Sequence, residues 1–155
     1  LARGAPAYGI DPDTGALQVA ERLWPVVREM SISLLYDRVD YVLEGELLPK
    51  DVAALQQAYP AQIRACFLGY ASITPEQKLQ AIRLYGGHPN DWPQSYTDTD
   101  LLTIIKREIA FSWYLRDECT KYDFRYFDTS HQFMQTLNEV VAYLWRYNQG
   151  IGQTL

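Results

Sequence analysis

The sequence predicts an α/β fold of three layers, in which a mostly parallel sheet is covered by helices on both faces. Three short apolar runs, at residues 41–43, 62–70 and 124–130, have the length and composition of buried strands. The longer segments between them carry apolar residues at the spacing of amphipathic helices. Strands that alternate with helices are typical of this architecture. Because 155 residues is the size of one domain, we expect a single domain over residues 1–155.

Composition argues against several classes of protein. Hydrophobic residues make up 48% of the chain, so disorder is not expected. The net charge is −5 and no basic block is present, which argues against binding to nucleic acid. No apolar run approaches the roughly 18 residues of a membrane span, so we expect no membrane partner. Cys66 and Cys119 lie far apart in apolar contexts, as is typical of reduced, buried thiols in a cytoplasmic protein.

Three of the expected helices are indicated mainly by their apolar spacing. The first covers residues 16–37, where Pro25 should kink or divide it. A short helix follows at about residues 50–59. The last helix carries a stripe of apolar residues between positions 133 and 147.

The helix after the second strand has a strong start signal and leads into a long loop. Thr74 is a good N-cap, Pro75 takes the first helical position and Gln77 completes a capping box. The loop at residues 86–97 contains two Gly and two Pro, and loops of about a dozen residues are usually functional or mobile. We therefore expect a lid there, followed by a capped helix that begins near residues 98–100.

Polar residues follow each predicted strand at its carboxyl end. Glu44 and Glu46 follow the first strand, a turn at residues 69–72 ends the second, and residues 128–130 end the third. An open α/β sheet binds its ligand outside the carboxyl ends of its strands. We therefore expect the ligand to lie against these three segments.

Residues 38–147 carry an order of segments that suggests a family. They read YVLEGELLP, IRACFLGY, TPEQKLQAIRLY with NDW, KREIAFSWYLRDE and YFDTSHQFMQTLNEVVAYL. This order resembles the later two-thirds of a P-loop kinase of the small-molecule or nucleotide kinase type. The resemblance implies transfer of a phosphoryl group from ATP to a small-molecule acceptor, with ATP and magnesium as cofactors.

The resemblance also implies roles for individual residues. Because the third strand of these kinases ends in an acid near the magnesium and the acceptor, Glu44 would orient the water shell of the metal or take the acceptor proton. Arg83 and Arg107, on the helices that enter and leave the loop, would clamp phosphate. The residues implied to contact the nucleotide are Lys78, Trp92, Asp128, Thr129 and Ser130.

Each of these residues also has a structural interpretation. Glu44 would pair with Arg38 or Lys50, whereas Glu46 would be a solvated surface acid. For the three basic residues the alternative is an ordinary solvated helix face. Residues 128–130 include good N-cap residues, and we expect them to cap the last helix in addition to any contact with adenine.

The element that defines P-loop kinases is missing from the chain. The backbone N–H groups of the phosphate loop, G-x-x-x-x-G-K-[ST], cradle the phosphates, and its Lys reaches the β and γ oxygens. Only Gly4 and Gly9 have this spacing, and Ile10 and Asp11 stand where Lys and Ser or Thr are required. We therefore expect the phosphate loop in a segment upstream of Leu1. The alternative is a non-catalytic nucleotide-binding or protein-interaction domain with a different sheet.

Overall fold

A computed structural model describes residues 5–11, 14–86 and 91–151, most of which are helical. In chain order its helices and strands are α1 (Ala16–Tyr36), α2 (Pro49–Ala58), β1 (Cys66–Gly69), α3 (Pro75–Tyr85), α4 (Asp98–Lys121), β2 (Arg125–Asp128) and α5 (Phe133–Ile151). Short 3-10 turns lie at Pro6–Tyr8 and Trp92–Ser95. None of the helices in these ranges has both the length and the apolar character needed to cross a bilayer. The chain divides into two compact units, Leu1–Ala65 and Cys66–Leu155.

The first unit contains α1 and α2. The helix predicted at residues 16–37 is confirmed, and Pro25 does not divide it. In α2, Pro49 occupies the first helical position, where its missing N–H costs no hydrogen bond. The buried apolar residues of this unit are Ile10, Ala16, Ala20, Leu48, Val52 and Leu55.

The strand predicted at residues 41–43 is not formed. This segment has no regular secondary structure, and Val42 is 89% exposed. A strand needs a neighbour to satisfy its backbone hydrogen bonds, and none of the described strands pairs with this segment. A run of three apolar residues is too short to distinguish a buried strand from an exposed connection.

The second unit is built on β1 and β2, which pair in parallel along their whole length. Parallel neighbours need a long connection, which α3 and α4 supply. Gly69 lies against Ser112 of α4, whereas the ring of Phe127 packs edge-on against Tyr143 of α5 with centroids 5.8 Å apart. Phe127 is the register partner of Leu68, the residue before Gly69. Because successive side chains of a strand alternate between faces, α4 and α5 cover opposite faces of the pair.

The prediction of a three-layer α/β domain built on a mostly parallel sheet is wrong. Within the described residues the sheet has only two strands, and helices predominate. The apolar runs at residues 62–70 and 124–130 do contain strands, but each strand is only four residues long. An apolar run indicates burial, whereas a strand also requires a partner for its backbone, which a single segment does not specify.

The helix starts of the second unit follow the predicted caps. Thr74 Oγ1 accepts a hydrogen bond from the N–H of Gln77 at 3.2 Å, and Gln77 Oε1 accepts one from the N–H of Thr74 at 3.1 Å. This is the predicted capping box, and α3 begins at Pro75. Thr97 caps α4 through the N–H of Asp100, which confirms a capped helix in this place.

Candidate functional site

The carboxyl ends of β1 and β2 lie side by side, because Gly69 and Asp128 are partners in the parallel register. The two turns that follow therefore leave the sheet at the same edge. Two of the three segments predicted to face a ligand, residues 69–72 and 128–130, meet at this edge. Ligands of sheets with parallel strands bind outside the carboxyl ends of those strands.

Hydrogen bonds connect the two turns. We call this set of residues the strand-end network (Gly69, Ser72, Asp128, Thr129 and Ser130). The Ser72 hydroxyl donates to Asp128 Oδ2 at 2.7 Å, and the N–H of Ser130 donates to Asp128 Oδ1 at 2.9 Å. The Ser130 hydroxyl accepts from the N–H of Ser72 at 3.0 Å. Thr129 donates both its N–H and its hydroxyl to the carbonyl of Gly69, at 2.7 and 2.9 Å. The network fixes the shape of this edge.

Asp128 is the central acceptor of the strand-end network. Burial opposes its ionisation, but the hydrogen bonds donated by Ser130 and Ser72 outweigh burial, so the pKa of the Asp128 carboxyl lies below its ordinary value. The carboxylate is therefore negatively charged at neutral pH.

We expect the stability supplied by the Asp128 carboxylate to be lost in acid. Because its pKa is lower in the folded than in the unfolded chain, the contribution is complete above the unfolded pKa, about 4, and is lost as the pH falls through the folded pKa. Asp128→Asn cannot ionise, so at pH 7 its melting temperature should be lower by on the order of 5 °C. Thermal unfolding across pH should show this difference disappearing as the pH falls through the folded pKa of Asp128. A difference that stays constant with pH would contradict the role of the charge.

Tyr70 is held in place directly after β1. Its N–H donates to Ser112 Oγ at 3.2 Å, and the Ser112 hydroxyl donates to the carbonyl of Glu108 at 2.9 Å, so α4 anchors the turn. Burial, with the negative charge of Glu108, raises the pKa of the Tyr70 phenol well above its ordinary value. The phenol therefore stays neutral even in alkaline solution, and the backbone of Tyr70 is anchored to α4.

Lys78 of α3 lies over the ring of Tyr70, with Nζ 4.1 Å from the ring centroid. Lys78 is half-buried, and this burial lowers the pKa of its ammonium group. Lys78 thus brings a partly desolvated positive charge to the residue that follows β1. Its predicted contact with the nucleotide stays a prediction.

Arg83 joins the end of α3 to the start of α4. Its guanidinium donates to Asp98 Oδ1 at 3.0 Å and to the carbonyls of Pro93 and Tyr96 at 3.1 and 2.7 Å. The phosphate clamp predicted for Arg83 would require these partners to be released or shared. In this structure Arg83 holds residues 93–98 against α3.

We expect Arg83→Met to lower the melting temperature by about 5 °C. Hydrogen bonds to a charged group contribute about 1.5–3 kcal/mol, and the partial exposure of Arg83, 31% for its side chain, reduces that value. Arg28→Met is the matched control, since Arg28 is 51% exposed and pairs with its neighbour Glu29. Equal melting temperatures for the two variants in thermal unfolding would show that Arg83 does not stabilise the fold.

The remaining residues predicted around the lid are placed only in part. Arg107 pairs with its neighbour Glu108 at 3.3 Å, and its side chain is 45% exposed. Trp92 begins a 3-10 turn, but its side chain and residues 87–90 lie outside the described part of the chain. The phosphate clamp and the lid therefore stay predictions.

Glu44 and Glu46 belong to the first unit and are both exposed. Lys50, one of the partners expected for Glu44, instead pairs with Glu21 at 3.4 Å. None of the ion pairs between described residues includes Glu44 or Arg38. The described residues therefore show no ion pair of Glu44 with Arg38 or Lys50.

The cap predicted at residues 128–130 is also wrong. Helix α5 begins at Phe133, three residues after Ser130. The side chains of Asp128 and Ser130 bind Ser72 in the turn after β1. Ser130 is a good capping residue by type, but a distant partner in sequence competes for it.

Sequence reasoning did not assign specific roles to four residues that build this edge, namely Tyr70, Ser72, Glu108 and Ser112. Ser112 gave a usable signal, because it lies on the apolar face of α4 and is buried. A hydroxyl on such a face needs a hydrogen-bond partner. The sequence does not indicate that the partner is the N–H of Tyr70.

No group of three or more His, Cys, Asp or Glu side chains in the described ranges is arranged to hold a metal ion. Both oxygens of Asp128 accept hydrogen bonds from Ser72 or Ser130. The magnesium implied by the resemblance therefore stays a prediction. Comparison with known protein families, with curated proteins and with solved structures gives no significant match.

Proposed function

We propose that this chain is part of an ATP-dependent phosphotransferase acting on a small-molecule acceptor, and that ATP lies against the strand-end network. The observation that carries the proposal is the joining of two parallel strand ends through Ser72, Asp128 and Ser130. The carboxyl edge of parallel strands is a common position for nucleotides. The resemblance to P-loop kinases supports the same ligand.

In the proposed reaction the chain positions the substrates and supplies charge. Thr129 and Ser130 lie beside the base of the nucleotide. Glu44, whose carboxylate is exposed, stays the candidate proton acceptor that the resemblance to P-loop kinases implies. Arg83 and Arg107 are the candidates for the phosphate clamp.

The affinity of the 155-residue chain for ATP is expected to be low. The sequence contains no phosphate loop, and single hydrogen bonds and charges contribute only a few kcal/mol. The dissociation constant should therefore be no smaller than about 1 mM. Isothermal titration calorimetry measures it, and micromolar binding by this chain would show that a phosphate cradle exists elsewhere in the sequence.

The full-length product of the gene provides the decisive test of activity. It is expected to form ADP from Mg-ATP in the presence of a hydroxyl-bearing acceptor, measured by a coupled assay over a panel of small molecules. The 155-residue chain is the matched control and should not turn over. A full-length protein that does not bind Mg-ATP at millimolar concentration would contradict the proposal.

A second candidate, a non-catalytic protein-interaction domain, is favoured by one observation. Four apolar residues of α5, Phe133, Met134, Val141 and Trp145, are 55–67% exposed, and a helix that is apolar on more than one face is usually covered. The calorimetric titration of the full-length protein separates the two candidates, because only the first requires nucleotide binding.

A further inference from the structure

Lys78 carries a positive charge into a partly desolvated position. Removing an ammonium group from water is unfavourable unless another charge or a hydrogen bond compensates, and burial is what lowers the pKa of Lys78. The compensation present is the face of the Tyr70 ring, 4.1 Å from Nζ.

The Tyr70 residue that supports the ammonium is anchored through its backbone. Its N–H donates to Ser112 Oγ at 3.2 Å, and burial with the neighbouring Glu108 charge raises the pKa of the phenol further above neutral pH. The ammonium lies over the ring of an anchored residue in the free protein, and such pre-positioning reduces the entropy lost when a ligand binds.

The ammonium of Lys78 also keeps its hydrogen-bond donors. None of the side-chain hydrogen bonds or ion pairs between described residues involves the Lys78 ammonium, and its interaction with the ring leaves the three donors for another partner. Glu108, whose charge acts on the Tyr70 phenol, pairs with Arg107. The Lys78 ammonium is thus a half-buried cation with no carboxylate partner in the described chain.

We propose that Lys78, positioned by Tyr70, is a phosphate-binding subsite. Its ligand is a phosphoryl group, which supplies the negative charge and the acceptor oxygens that the ammonium lacks in the free protein. This inference rests on the proposed function for the source of that group, a nucleotide or a phosphorylated acceptor. The affinity of Lys78 for inorganic pyrophosphate does not depend on that source.

The test is titration of the 155-residue chain with inorganic pyrophosphate, followed by NMR of the lysine side chains. Binding should shift the Lys78 resonances, and Lys78→Met should weaken it about tenfold or more, the value of a hydrogen bond to a charged group. Lys106→Met is the matched control, because Lys106 also lies on a helix of the second unit but is exposed. It should change the affinity less than about twofold. Lys78→Arg, which keeps the charge, should retain part of the binding.

Equal affinities for Lys78→Met and Lys106→Met would overturn the subsite, and so would the absence of pyrophosphate binding by the wild-type chain. If Lys78→Met does not fold, the test uses the Lys78 resonances of the wild-type chain. The absence of a shift in these resonances at saturating pyrophosphate would overturn the inference. Pyrophosphate binding at Lys78 without any ATP contact at the strand-end network would support the subsite and contradict the proposed function. Contact of ATP with the strand-end network, without any change at Lys78, would support the proposed function and contradict the subsite.

Discussion

Replacing Glu44 by Gln is expected to lower the proposed phosphotransferase turnover by a factor on the order of 10² to 10⁴, the usual contribution of a positioned general base. The substitution keeps the size of the side chain but removes the capacity to accept a proton. ATP affinity should change little, since Glu44 acts on the acceptor. The melting temperature should also be unchanged, because Glu44 is exposed and belongs to none of the ion pairs among described residues. Steady-state kinetics and thermal unfolding of the same preparation measure both quantities.

Glu46→Gln is the internal control for this experiment. Glu46 is also exposed and lies two residues away, so removal of its charge perturbs the same surface by the same amount. It should retain most of the turnover. If Glu44→Gln is stable and fully active, Glu44 has no part in the site.

Replacing Gly69 by Ala is expected to destabilise the second unit by about 1–3 kcal/mol, as overpacking of a well-packed core does. A Cβ at this position would lie 2.4 Å from Tyr126 Oη and 2.9 Å from Ser112 Oγ. Ser112 cannot move without loss of its hydrogen bonds to Tyr70 and Glu108. The melting temperature should fall by roughly 5–15 °C, measured by circular dichroism.

Two further variants identify the cause of this loss. Gly69→Ala combined with Tyr126→Phe should recover part of the stability, because the nearest clashing atom is removed. Gly45→Ala is the matched control, since a Cβ there would meet no atom within 4 Å, and it should change stability by less than about 0.5 kcal/mol. If Gly69→Ala is as stable as Gly45→Ala, the close packing of α4 on β1 is not important for stability.

The parts of the fold that were predicted correctly are those specified by neighbours in the sequence. The capping box of Thr74 and Gln77 places the start of α3, because both hydrogen bonds of the box lie within four residues. The prediction of a strand at residues 41–43 was wrong because strand formation depends on a partner that the segment itself does not specify. Val42 is apolar but exposed, so its side chain gave no information about pairing.

The candidate site shows the same division. Asp128, Thr129 and Ser130 were predicted to stand at the end of a strand, and β2 does end at Asp128, beside the end of β1. Their predicted contact with a nucleotide stays a prediction. Their role as a helix cap was wrong, since Ser130 binds Ser72, 58 residues earlier in the chain. Long-range hydrogen bonds of this kind need the register of β1 and β2, which the sequence does not provide.

The most direct test of the proposed site is a titration of the 155-residue chain with ATP to about 10 mM, followed by backbone amide NMR. This concentration populates even a millimolar complex. The result expected is a set of shifts that are largest at Tyr70, Ser72, Thr129 and Ser130, with Glu46 unchanged as the exposed reference. Shifts confined to other parts of the chain, with the strand-end network unaffected, would contradict the placement of the nucleotide at the ends of β1 and β2.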